Sequence, residues 1–142
     1  VKRLLVALDG SPLATQVLAT ATRVAGANGA KLVLYRAVGL VPDMPMEVLN
    51  TLDGTLDELL LRNARNDLRR IAESTPPEVI DRIETDLASP WDGICRAAVR
   101  LDCDLIVIGS HGYSRFERVL GTTASKVVNH ADRDVLVVRA TQ

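Results

Sequence analysis

The chain has 142 residues, 47% of them hydrophobic and 25% charged, with a formal net charge of −1. That is the size and composition of one soluble folded domain, here taken as residues 1–142, and not of a disordered segment. The near-neutral balance supplies no field for nucleic acid, no apolar run approaches the ~20 residues of a membrane span, and no basic-then-apolar leader opens the chain, so a cytoplasmic location without nucleic-acid or membrane partners is expected.

Arg3 to Asp9 (RLLVALD) is an almost unbroken apolar run that ends in an acid. Without alternation, such a run predicts a strand covered on both faces, as in a parallel sheet. Gly10-Ser11-Pro12 reads as a helix start, with Ser11 as the capping residue and Pro12 in the first helical position. Val17, Leu18, Ala21, Val24 and Ala25 recur at helical spacing, and Gly26 and Gly29 offer a stop. Lys31 to Val38 (KLVLYRAV) is a second buried strand. Gly39 to Asp53 carries Pro42, Pro45, Met44 and Met46 and reads as a long loop, its methionines covering the sheet edge. Leu56, Leu59, Leu60, Ala64, Leu68 and Ile71 mark a long amphipathic helix. Its Arg62, Arg65, Arg69 and Arg70 interleave with Asp57, Glu58, Asp67 and Glu73, the pattern of a solvated face.

Thr75-Pro76-Pro77 ends that helix, and Val79 to Leu87 alternates only in part, which suits a strand at the sheet edge. Ser89-Pro90 repeats the helix-start signal ahead of Trp91, Ile94, Ala97, Ala98 and Leu101. Trp91 reads as a core or staple residue. Leu105 to Ile108 is the fourth strand, Ala124 to His130 a short helix, and Val135 to Val138 the last strand. Cys95 and Cys103 have neither disulfide-framework nor metal-ligand spacing and read as small buried hydrophobes. Five strands alternating with four helices predict a parallel sheet with helices on both faces.

The chemistry is concentrated between Asp104 and Ser125 (DLIVIGSHGYSRFERVLGTTAS). A buried strand runs into a loop punctuated by Gly109, Gly112 and Gly121, and Thr122, Thr123 and Ser125 stand at a helix start. Glycines let backbone N–H groups approach an anion, and a helix start adds unsatisfied donors, so the stretch reads as a phosphate cradle. Arg115 and Arg118 lie inside the loop, where they can neutralise phosphate or equally be solvated, and His111 reads as a loop residue placed to touch phosphate. Neither GxxxxGK[ST] nor GxGxxG occurs. Ser110-His111 lacks the GxSxG elbow of a hydrolase nucleophile. In an open α/β sheet the partner of this loop is the polar end of the first strand, where Asp9 can accept hydrogen bonds from a ribose or base, or else cap the following helix with Ser11.

VALDGSP at Val6 to Pro12, DLIVIGSHG at Asp104 to Gly112, Gly121-Thr122 and DVLVVR at Asp134 to Arg139 together resemble the universal stress protein family, over essentially the whole chain. The resemblance implies a three-layer α/β sandwich whose five-stranded parallel sheet runs in the order 3-2-1-4-5, an adenine nucleotide alpha-hydrolase-like fold. It implies ATP or AMP as ligand, with or without Mg, and a homodimer through Val135 to Val138. By position, Ala7, Leu8 and Asp9 would line the adenine and ribose side, with Ala37 flooring the adenine. Ile108, Gly109, Gly112, Gly121, Thr122 and Thr123 would surround ribose and phosphates. The family's Gly-x2-Gly-x9-Gly-Ser/Thr motif is one residue short here, with eight residues between Gly112 and Gly121. The missing residue is expected either to displace the Gly121-Thr122 amides or to be absorbed around Tyr113 to Phe116. Any activity is expected to be slow ATP hydrolysis or autophosphorylation at most. The alternative is a dimeric interaction module of the same fold that binds no nucleotide.

Overall fold

β1 (Arg3–Ala7) lies at the centre of a five-stranded sheet, flanked by β2 (Lys31–Val38) and β4 (Leu105–Gly109), with β3 (Ile80–Leu87) and β5 (Asp134–Val138) at the edges. Every pairing is parallel, and the order is β3-β2-β1-β4-β5. The computed structural model describes residues 1–39, 56–111 and 120–140. Met44 and Met46 lie outside them.

The unalternating apolar runs occur because both faces of the central strands are covered. Leu4 and Val6 of β1 and Leu32 and Leu34 of β2 pack beneath α1 (Ala14–Asn28) and α2 (Leu56–Ala72). Leu5, Val33, Ile106 and Ile108 point the other way, toward α3 (Pro90–Arg100) and α4 (Thr122–His130). Leu4, Leu5 and Val6 are fully buried. At ~25 cal/mol per Å² of apolar area removed from water, such strands are the main stabilising contribution.

Two local expectations need correcting. Ser11 does not cap α1: the helix starts at Ala14 after Leu13, without a side-chain cap. The reason lies in the preceding turn, where Asp9 Oδ1 takes the Ser11 N–H at 2.9 Å and the Ser11 carbonyl accepts from Ala14 N at 3.1 Å. Helix α1 then runs through Gly26 and ends at Gly29. Val79 belongs to a 3-10 turn (Pro77–Val79), and β3 begins at Ile80. The Trp91 ring packs on the core between α3 and α4 and meets the His130 ring at 4.7 Å. Cys103 is buried and Cys95 half-buried, both free thiols.

Candidate functional site

Although β1 and β4 are neighbours, the chain leaving β1 enters α1 on one face while the chain after β4 reaches α4 on the other. Their carboxyl ends part to open a crevice of ≈ 210 Å³, the place where open α/β sheets take ligands. Ala7, Leu8, Asp9, Ala37, Ile108, Gly109, His111, Gly121, Thr122 and Thr123 all line it. Gly112 and Arg115, and with them Arg118, lie outside the described residues.

The inner part is an apolar slot. Ala7, Ala37 and Ile108 share the sheet face that packs against α3 and α4, with Pro90 and Ile94 of α3 beside them. Leu13, just before α1, and Val17 of α1 close it from the opposite face. Gly109 belongs to this packing: a Cβ there would stand 2.8 Å from Leu13 Cδ2 and 3.3 Å from Val17 Cγ2. Its lack of a side chain thus lets α1 sit on the end of β4, a role apart from any approach of backbone to ligand. Tyr35, buried below the slot, donates from Oη to Asp86 Oδ2 at 3.0 Å. Burial, then the Asp86 charge, raises its pKa well beyond the usual tyrosine range.

The mouth is polar, with acceptors and donors on different elements. Asp9 is exposed and is the only carboxylate among the described lining residues. Sequence reasoning missed Arg36. Its Nε donates to the Leu8 carbonyl at 2.8 Å, its Nη2 to the Asp9 carbonyl at 3.1 Å, and its Nη1 pairs with Asp67 at 3.4 Å. It ties down the backbone that carries Asp9. The signal for it is an arginine inside an otherwise apolar strand, which must find acceptors to be tolerated there.

Opposite stands the start of α4. The Ser125 N–H makes a helical bond to the Gly121 carbonyl at 2.9 Å. The N–H groups of Thr122, Thr123 and Ala124 therefore have no helical acceptor, and among the described residues no side chain caps them. All three residues line the crevice, and a helix start carries a partial positive charge. The Gly121 N–H points elsewhere, to the Ser110 carbonyl at 2.7 Å. A Cβ on Gly121 would lie 3.2 Å from that oxygen and 3.5 Å from His111 Cα. A side chain here would crowd the Ser110 carbonyl by a few tenths of an ångström. Ser110 Oγ and His111 Nδ1 are 3.1 Å apart, a nucleophile–base distance, but His111 Nε2 has no partner among the described residues to orient the imidazole as a base. Among the described residues no cluster of three or more His, Cys, Asp or Glu side chains gathers to hold a metal, and no helix is long and apolar enough to cross a membrane.

Residues 1–139 match the family model described as the universal stress protein family. A universal stress protein of Thermus aquaticus is 33% identical over 141 residues, covering 97% of this chain and 98% of its own. Among solved structures, universal stress protein UspA from Lactobacillus plantarum superposes with a TM-score of 0.76 at 26% identity, covering 97% of each chain. A universal stress protein in complex with cAMP superposes with a TM-score of 0.67 at 20% identity, covering 99% of this chain and 98% of its own.

Proposed function

The chain belongs to the universal stress protein family, and from that premise we propose that it binds an adenine nucleotide, AMP or ATP, between the ends of β1 and β4. The observation that carries this reading is the separation of chemistry along one crevice: an apolar slot, then a carboxylate, then uncapped amides. A purine offers two apolar faces to the slot formed by Ala7, Ala37 and Ile108. Ribose hydroxyls are donors and suit Asp9. Phosphate oxygens accept hydrogen bonds and suit the N–H groups of Thr122, Thr123 and Ala124. Gly112 and Arg115 enter the reading through their motif positions alone. A Mg ion is commonly held by one or two carboxylates together with substrate phosphates, and Asp9 is the residue that would hold it here. The relative in complex with cAMP supports the ligand class. Calorimetry on nucleotide-free protein with AMP, ATP and cyclic AMP is the test. Saturable heat is expected, and none at millimolar ligand with folded protein would refute the proposal.

The dimer is part of the same reading. The edge strand β3 carries Asp81, Arg82 and Glu84, which discourage pairing with another chain. The other edge, β5, offers Val135, Leu136 and Val137, all only half-buried. That apolar edge is the surface through which two copies would join.

A further inference from the structure

Among the described residues, two side-chain polar atoms are buried without a hydrogen-bond partner, Ser11 Oγ and His111 Nε2, and both residues line the crevice. Ser11 is 6% exposed. An orphaned buried polar atom costs desolvation that nothing in the protein returns, so two in one crevice point to an outside partner.

The chemistry of both groups can be worked out. Ser110 is buried, and the contact shown for its hydroxyl is His111 Nδ1. If Nδ1 carried the proton, the Ser110 hydroxyl hydrogen would be left without an acceptor. The satisfied arrangement has Ser110 donating to Nδ1, which puts the imidazole proton on Nε2 and makes that atom a donor. His111 lies beside Gly121 at the start of α4, with its Cδ2 4.0 Å from where a Gly121 Cβ would stand. Leu13 packs on Gly109, which brings the turn holding Ser11 against the end of β4. Asp9 Oδ1 fixes that turn through the Ser11 N–H.

We propose that Ser11 Oγ and His111 Nε2 are side-chain donors to a phosphate group of the bound nucleotide, completing the anion site begun by the α4 amides. The inference rests on the nucleotide-binding reading above and adds to it the two side chains that recognise the phosphate.

Calorimetry comparing AMP with adenosine on the full chain tests it. The wild type should bind AMP more tightly than adenosine. S11A should weaken AMP by about tenfold to a hundredfold, the span of a hydrogen bond to a charged group, and leave adenosine unchanged. H111A should act in the same sense, and H111Q, which keeps an N–H donor, should restore AMP binding. Nucleotide-free S11A should melt no lower than the wild type, because its hydroxyl surrenders no bond. AMP binding untouched by S11A, or AMP and adenosine weakened alike, overturns the phosphate assignment while nucleotide binding stands. If neither ligand binds the wild type, both proposals fall.

Discussion

Replacing Gly109 with alanine asks whether this glycine serves packing or ligand approach. The new Cβ would meet Leu13 Cδ2 at 2.8 Å, Leu13 Cγ at 3.3 Å and Val17 Cγ2 at 3.3 Å. Leu13 is 7% exposed and Val17 2%, so both are packed, and the room open to the end of Leu13 lies toward the crevice it lines. Overpacking a filled core costs about 1–3 kcal/mol. Against it, alanine restricts the unfolded chain and returns about 0.4–1 kcal/mol. At mid-range values, about 2 against about 0.7 kcal/mol, the clash wins and leaves a net loss of about 1.3 kcal/mol. For a chain of this length that lowers Tm by about 3–5 °C. Thermal unfolding followed by circular dichroism measures it. Shortening the opposing side chain should relieve the clash, so the loss in L13A/G109A should be smaller than the sum of the two single losses. An unchanged Tm for G109A, or strict additivity in that cycle, would show that α1 does not press on β4 here.

Two other predictions follow from charge and from the sheet edge. Desolvation pushes the Asp104 pKa upward, but the Lys2 and Arg3 N–H groups, at 2.9 and 3.2 Å from its carboxylate, outweigh it and hold the pKa below the ordinary 3.8. A lowered folded-state pKa gives stability that is present above the unfolded value and lost as pH falls through the folded one. The Tm advantage of wild type over D104N should therefore be full above about pH 5 and shrink below pH 3.8; an advantage that does not vary with pH would contradict it. Light scattering should give twice the 15.4 kDa chain mass, and V137E should halve it; a monomeric mass for the wild type at every concentration would remove the β5 dimer.

The layered fold was legible in the sequence because unalternating runs such as Leu4-Leu5-Val6 occur where both faces of a strand are covered. The strand order came from the family resemblance, since local pattern carries no information on which strands are neighbours. Arg36 was missed for the same reason. Its acceptors are the Leu8 and Asp9 carbonyls, 28 and 27 residues away, and they meet it only because β1 and β2 pair with Ala7 opposite Tyr35. Ser11 misled because Ser-Pro ahead of an apolar repeat is a sound capping signal. The turn tied by Asp9 overrode it and left the hydroxyl buried without a hydrogen-bond partner.

The shortened spacing between Gly112 and Gly121 bears on the site less than the motif alone implies. What sets the α4 amides is the bond from Gly121 N to the Ser110 carbonyl, together with the burial of Ala124 and Val127 against the core. All of these contacts lie outside the intervening residues. Closing a loop shorter by one residue changes its entropy by about 0.1 kcal/mol, far too little to displace a packed helix. The departure therefore falls on what the intervening segment itself would bring to a ligand, Gly112 and Arg115. The apolar slot, Asp9 and the helix start do not depend on it. Under the nucleotide-binding proposal, AMP, whose single phosphate needs only the start of α4, is the ligand that depends least on the intervening residues.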